Sequence, residues 1–181
     1  MKKKVFQLLV DNTSGVLSRI SGLFSRRGYN IESITAGVTA DPRITRITIV
    51  ASGDDEILAQ IEKQVAKLED VRDIRELEPG FSVYRELALI KVQANETRRQ
   101  DVISIANIFR ANIIDVSTRS LTLAIIGEES KDDALEKLLA EFGILELVRT
   151  GMVALERGEA TISNNDDNKE TDEFDLGKNV L

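Results

Sequence analysis

A polar turn followed by an amphipathic segment carries the residues of this chain that are best suited to binding a small molecule. The turn is Asp11-Asn12-Thr13-Ser14-Gly15, and a second asparagine, Asn30, follows the segment. The start of a helix exposes free N–H groups and a partial positive charge, so a carboxylate docks there readily. Gly15 lets a ligand approach the backbone, and both asparagines offer an amide oxygen and an amide nitrogen. A free amino acid needs donors for its carboxylate and acceptors for its ammonium, and this set provides both.

The turn and its apolar neighbours can be interpreted either as a ligand-binding site or as purely structural residues. Leu17 and Ile31 could hold an aliphatic side chain, whose burial contributes roughly 1.5–3 kcal/mol. A helix N-cap explains Thr13 or Ser14 equally well, and Gly15 could serve only a tight turn. From the residues alone, both interpretations remain open.

The composition removes several classes of active site. The chain of 181 residues contains no cysteine and no histidine. Disulfides, thiolate nucleophiles, Cys/His metal sites and triads with an imidazole base are therefore excluded. No G-x-G pair occurs, so the dinucleotide fingerprint is absent as well. We therefore expect no catalytic residues, no cofactor and no metal in this chain.

Charge is concentrated at the carboxyl end. The net charge is −7, and residues 159–181 contain seven acids and two lysines. Because almost nothing in this stretch is apolar, we predict a disordered acidic tail. The apolar run at 5–10 is too short for a signal peptide core or a membrane span, so we expect a cytoplasmic protein. No basic stripe points to nucleic acid.

Hydrophobic periodicity predicts the elements that hold the turn. Strands are predicted at 5–10, 31–39, 44–51 and 71–77, with helices at about 14–27 and 57–68. Gly28 ends the first helix, and Thr45, Ile47, Ile49 and Ala51 share one face of a strand. The order βαββαβ is that of the ferredoxin-like unit.

The same order recurs after the Pro-Gly break at 78–81. Strands are predicted at 87–94, 113–117, 121–126 and 144–148, and helices at about 100–109 and 132–142. A shift of 85 residues aligns 20–33 with 105–118 without a gap. At this shift, the turn 11–15 becomes Glu-Thr-Arg-Arg-Gln, without the glycine or the asparagine. The fold class is therefore α+β with two tandem βαββαβ sandwiches, and the first copy looks specialised.

Long stretches of the chain resemble one family. "NTSGVLSRISGLFSRRGYNIESITAG" strongly resembles the opening of the small, regulatory subunit of acetohydroxyacid synthase (acetolactate synthase), which begins with an ACT domain, a module that binds amino acids. "QIEKQVAKLEDVRDIREL", "RELALIKVQA", "IFRANIIDVS" and "VRTGMVALERG" extend the resemblance over most of 4–158. It implies an ACT domain at 1–78, a second ferredoxin-like regulatory domain at 79–158, and an unusual tail at 159–181.

The resemblance also implies a function and a site. The family's small subunit has no chemistry of its own; it activates a large catalytic subunit that uses thiamine diphosphate, Mg²⁺ and FAD. It makes that subunit sensitive to valine, and in some members to leucine or isoleucine. ACT domains pair as a homodimer with the effector between chains. Carried over, Asn12, Gly15, Val16 and Leu17 would come from one chain, with Asn30 and Ile31 from its neighbour.

Three other functions compete with this one. A free-standing tandem ACT sensor would use the same pocket but regulate another enzyme or a transcription factor. An RNA-binding ferredoxin-like module needs aromatic residues on its sheet, and aromatic residues make up only 4% of this chain. A metal-responsive second domain lacks its usual imidazole ligands. We expect the regulatory subunit, a protein with neither a nucleic-acid nor a membrane partner.

Overall fold

Two βαββαβ units make up the part of the chain that the structure describes. The computed structural model describes residues 2–162. Within them, 2–83 and 154–162 form one unit, and 84–153 form the other. The element order confirms the predicted α+β class with two ferredoxin-like units. Most of the predicted acidic tail, at 163–181, lies outside the described residues.

The first unit has a four-stranded antiparallel sheet in the order β2-β3-β1-β4. Its strands and helices, in chain order, are β1 (Lys2–Asp11), α1 (Val16–Arg27), β2 (Asn30–Val38), β3 (Ile44–Gly53), α2 (Asp55–Val65) and β4 (Val71–Leu77). The strands β1 and β3 extend beyond the predicted ranges because paired backbone continues past the apolar residues. β2 lies at one edge of the sheet and β4 at the other.

Burial explains why these segments fold as they do. Ile47, Ile49 and Ala51 are each 0% exposed and lie in the core, on the one face of β3 that the sequence predicts. The residues between them are buried too, so exposure does not alternate along this central strand. The helix α1 buries Val16, Ile20, Leu23 and Phe24, one apolar face at helical spacing. Gly28 ends α1 with φ of 67°, and the N–H of Tyr29 donates to the carbonyl of Phe24 at 3.0 Å. This left-handed cap is the one that the sequence predicts.

The second unit repeats the arrangement around its own core. Its elements are β5 (Ser82–Gln93), α3 (Arg99–Phe109), β6 (Asn112–Val116), β7 (Ser120–Gly127), α4 (Glu129–Leu139), a 3-10 turn (Ala140–Phe142) and β8 (Ile144–Arg149). The sheet order is β6-β7-β5-β8, and β9 (Val153–Glu156) also pairs with β5. The buried residues include Ile90, Leu123 and Leu135, each 0% exposed.

A C-terminal segment returns to the first unit. Gln7 is 0% exposed on the sheet face opposite its core neighbours Phe6 and Leu8. Its side-chain nitrogen donates to a carboxylate oxygen of Glu156 at 3.3 Å. Arg75 donates to the same carboxylate at 3.4 Å and to the carbonyl of Thr161 at 2.9 Å. Residues 154–162 thus cover polar groups on this face of the first sheet.

Candidate functional site

The first turn of α1 is not capped by a side chain. Gly15 is the N-cap with φ of 87°, and the helix begins at Val16, two residues later than predicted. The alternative interpretation, in which Thr13 or Ser14 caps the helix, is wrong, because the left-handed Gly15 is the N-cap and no side chain bonds the first turn. By contrast, the Asp54 carboxylate caps α2 by accepting from the N–H of Ile57 at 2.8 Å. The first turn of α1 therefore offers its N–H groups to an external carboxylate.

Asn12 fastens the turn to the β2–β3 hairpin. Its backbone N–H donates to the carbonyl of Arg43 at 2.7 Å, and its side-chain nitrogen donates to the carbonyl of Pro42 at 2.9 Å. The hydroxyl of Thr45 donates to its side-chain oxygen at 3.1 Å. Each amide atom keeps a second hydrogen-bonding position for a ligand. Asn12 consequently fixes the shape of the turn whether or not a ligand binds.

Val16 and Leu17 point in different directions from the same turn. Val16 is 3% exposed and packs in the core, so only its backbone can face a ligand. Leu17 is 49% exposed, which makes its side chain available to an aliphatic ligand or to another chain.

Arg19, which the sequence analysis did not identify as a site residue, lies beside this turn. Arg19 lies one helical turn after Gly15, and a Cβ placed on Gly15 would lie 3.4 Å from its Nη1. Two hydrogen bonds, of 2.5 and 2.6 Å, join Arg19 to the Asp70 carboxylate. The hydrogen bonding that Arg19 donates to Asp70 raises the pKa of Arg19, so the guanidinium stays charged. Helical spacing from Gly15 is the signal that could have identified it.

Asn30 and Ile31 begin β2 beside a small polar cluster. The side-chain nitrogen of Asn30 donates to Glu32 and to the hydroxyl of Ser52, each at 3.0 Å. Ser52 donates to the same oxygen of Glu32 at 2.6 Å, and this hydrogen bond is the main reason that the pKa of Glu32 is lowered. The amide oxygen of Asn30 is an acceptor, the kind of group that an ammonium needs. Ile31 is half-buried against the core.

One chain does not bring the two halves of the predicted site together. Asp11, next to Asn12, pairs with Ile44 at one end of the sheet. At the other end, Ser52 pairs with both Lys3 and Asn30. The eight residue steps from Lys3 to Asp11 span about 26 Å of extended strand. The turn residues and the Asn30 pair therefore lie at opposite ends of the same sheet.

The described residues 2–162 contain neither a metal-binding cluster of side chains nor a membrane-spanning helix. No group of three or more acidic, histidine or cysteine residues among them could hold a metal ion. None of their helices is both long and apolar enough to cross a membrane.

Comparison with known families covers both units. Residues 6–73 match the family described as the AHAS small subunit-like ACT domain, and residues 85–158 match the family described as the small subunit of acetolactate synthase. The fold of the first unit and its family match define an ACT-domain protein. Within that class, this chain belongs to the family of acetolactate synthase small subunits.

Individual relatives agree over nearly the whole of both chains. A probable acetolactate synthase small subunit from Methanothermobacter thermautotrophicus is 49% identical over 159 residues, which cover 87% of this chain and 95% of the relative. The acetolactate synthase isozyme 3 small subunit of Salmonella typhimurium is 44% identical over 158 residues, 87% of this chain and 97% of the relative. The crystal structure of the acetolactate synthase small subunit from Thermotoga maritima shares 39% identity with a TM-score of 0.82. That match covers 88% of this chain and 100% of the solved one.

Proposed function

We propose that this chain is a non-catalytic regulatory subunit that binds a large catalytic subunit of acetolactate synthase, raises its activity and makes it sensitive to valine. Leucine and isoleucine are the other candidate effectors. Family membership supports the regulatory role. The observation that carries the effector site is the uncapped, left-handed entry to α1 in an ACT-type unit. Thiamine diphosphate, Mg²⁺ and FAD would act in the large subunit, and the complex would be a cytoplasmic transferase.

The effector carboxylate would bind at the first turn of α1. No acidic residue lies in that turn, and its N–H groups carry the positive end of the helix dipole. Arg19 bonds Asp70 through Nε and Nη2, and its Nη1, which lies beside Gly15, is a further N–H donor for the carboxylate. Gly15 presents no Cβ, so the carboxylate can reach the backbone.

The effector ammonium and side chain would meet residues of a neighbouring chain. Within one chain, Asn30 lies about 26 Å from the turn, by strand length. A homodimer that brings Asn30 and Ile31 of one chain to Asn12 and Leu17 of the other would assemble all the required groups. Such a site would explain why the two halves lie at opposite ends of the sheet within one chain.

The edge strand β2 supports this dimer. It is unpaired on one side within its sheet. Its register places Ile34 opposite Ile49 and Val38 opposite Thr45, on the face of the sheet that carries the core. Ile34 is nevertheless 41% exposed and Val38 59% exposed. These two side chains expose apolar surface beside an open edge, which a second copy could cover.

An effector that binds between two chains can regulate activity by changing how the two chains are arranged. An effector shifts a dimer from one arrangement to another only to the extent that it binds the second more tightly. Coupling of about 1–3 kcal/mol changes activity or affinity from several-fold to more than a hundredfold. Valine at the seam would favour the dimer arrangement that holds the large subunit in its less active form.

The test is pyruvate condensation by the large subunit, with and without this chain, across a valine titration. We expect stimulation by the chain and reversal of that stimulation by valine. Gly15→Asp places a carboxylate where the effector carboxylate would bind, so it should raise the half-inhibitory valine concentration at least about tenfold while leaving stimulation intact.

The matched control is Gly15→Asn. Both variants add a side chain at φ of 87°, and asparagine and aspartate tolerate this conformation better than other residues, so they share the backbone strain. Only the aspartate adds charge. Equal loss of valine response in both variants would refute the electrostatic placement, and full valine sensitivity of Gly15→Asp would refute the site. Absence of stimulation by the unaltered chain would refute the regulatory role itself.

A further inference from the structure

The second unit contains a cleft of about 630 Å³ that the proposed regulatory site does not use. It lies where the end of β5, the start of α3, the β6–β7 turn and the 3-10 turn meet. Of the nine described residues that line it, two are arginines, Arg98 and Arg119, and none is acidic. Five of the others are polar and uncharged, and Phe142 and Leu145 are apolar. The volume lies within the usual range for a small-molecule site, and the lining is more polar than in most such sites.

One of the two arginines is held in place before any ligand binds. The guanidinium of Arg98 stacks over the Phe142 ring at 4.2 Å from its centroid. Its Nη2 donates to the carbonyl of Glu141 at 3.1 Å. The guanidinium has further N–H donors for a ligand, and its fixed plane reduces the entropy lost on binding.

The turn that forms the opposite wall is fixed as well. Arg99 Nη2 donates to the carbonyls of Ser117 and Thr118 at 2.6 and 2.7 Å. The backbone N–H of Ala94 donates to the carbonyl of Arg119 at 2.8 Å. The Arg99 bonds tie the β6–β7 turn to the start of α3, and the Ala94 bond ties it to the end of β5, so the walls of the cleft are joined to one another.

We propose that this cleft binds a small organic or inorganic oxyanion that carries no ammonium group. Two guanidinium groups without a carboxylate attract a carboxylate or phosphate, which arginine binds through paired hydrogen bonds. The same pair repels an ammonium, so a zwitterionic amino acid would bind more weakly than the corresponding simple acid. Phe142 and Leu145 give a short apolar part of the ligand a surface to contact.

The two units use the same corner of the fold in different ways. In the first unit, Asn12 ties the β1–α1 turn to the β2–β3 hairpin. In the second, Arg99 makes the equivalent connection, and Arg98 and Arg119 line the adjoining cleft. The first corner is suited to the carboxylate of an amino acid whose ammonium binds elsewhere, whereas the charged groups among the described lining residues of the second are arginines. The chain would therefore respond to two chemically distinct small molecules.

The test is a titration of the full chain, followed by backbone amide NMR, with inorganic phosphate, propionate and alanine as separate probes. Propionate and alanine share a three-carbon skeleton and differ by the ammonium group. We expect saturable shifts at the amides of 117–120 with phosphate, propionate or both, and which of them binds identifies the source of the oxyanion. Alanine should bind at this position at least about tenfold more weakly than the better probe.

Variants that each remove one arginine charge, inside or outside the cleft, show whether binding depends on the cleft. Arg98→Gln and Arg119→Gln should each weaken binding about tenfold or more, because each removes a charge-assisted hydrogen bond. Arg85→Gln removes the same charge from β5, eight residues and about 26 Å of strand away from Gln93 at the cleft, and should leave binding unchanged. The proposal is overturned if no probe gives saturable shifts at 117–120 up to about 10 mM. Equal weakening by Arg85→Gln, or alanine binding as tightly as propionate, also overturns it.

Discussion

Asp132, on α4, is a buried carboxyl whose removal should stabilise the second unit. The residue is 1% exposed, and neither carboxylate oxygen has a hydrogen-bond partner among the described residues. A Cβ placed on Gly127 would lie 2.6 Å from Asp132 Oδ1, which shows how closely the backbone encloses the group. An ionised carboxylate in this position loses its hydration without any replacement. Leaving a buried polar group unpaired costs about 1–3 kcal/mol.

The pH dependence follows from the direction of the pKa shift. Burial raises the pKa of Asp132, and the nearby Glu86 raises it further, while Arg149 and Lys131 oppose the shift. A raised pKa means that the folded state binds the proton more tightly than the unfolded chain does. The group therefore destabilises the folded state progressively as pH rises above about 3.9, the value for an unfolded aspartate. Below that pH, both states are protonated and the penalty is absent.

Asp132→Asn tests this reasoning because it removes the charge while keeping the shape. The amide is as unpaired as the carboxylate but carries no charge, so we expect the variant to exceed the parent in unfolding free energy near pH 8, by about 1.4 kcal/mol for each unit by which the pKa of Asp132 is raised. The difference should shrink towards zero near pH 4. Urea unfolding across this range, with hydrogen exchange of the α4 amides to isolate the second unit, measures it. A less stable variant near pH 8, or a difference that does not change with pH, would refute the account.

Three further outcomes are expected in the first unit. Asp54→Ala removes the side-chain cap at the Ile57 N–H and should lower the unfolding free energy by about 1 kcal/mol, measured in urea; no change would mean that solvent caps α2 equally well. Glu156→Ala removes an acceptor of Arg75 and should expose residues 157–162 to limited proteolysis, whereas an unchanged cleavage pattern would show that other contacts hold the segment. Val38→Lys places a charge on the exposed β2 edge and should shift the chain towards monomer in light scattering; an unaltered mass would contradict pairing through this edge.

Helices and strands could be predicted because burial of one face gives the apolar residues of each element a regular spacing in the sequence. The strand at 71–77 has the bounds that the sequence predicts, and the α1 face follows from Ile20, Leu23 and Phe24 alone. Where no local residue marks a conformation, prediction fails. Arg110 ends α3 in the left-handed region with φ of 54°, a role for which the sequence offers no glycine. The start of α1 was misplaced because Thr13 and Ser14 are good caps in isolation.

Part of the candidate site could likewise be predicted from the sequence, and part is visible only in the structure. The residue types around Gly15 indicate a carboxylate-binding turn, since helix starts, glycine and amides have the same chemistry in any fold. Only the tertiary structure shows that Asn12 binds the Pro42 carbonyl, and that Asn30 shares Glu32 with Ser52 of the neighbouring strand β3. The separation of these asparagines at opposite ends of one sheet is likewise a matter of strand register, not of spacing along the chain.

By itself, then, the sequence determined the two βαββαβ units, their core faces and the character of the first turn, because these depend on neighbours within a few residues. The tertiary structure decided which polar groups remain available and which are already bonded, because their partners lie tens of residues away. It also returned residues 154–162 to the first sheet through Glu156 and the carbonyl of Thr161. Buried polar groups on that face require partners, and no periodic pattern specifies which distant segment will supply them.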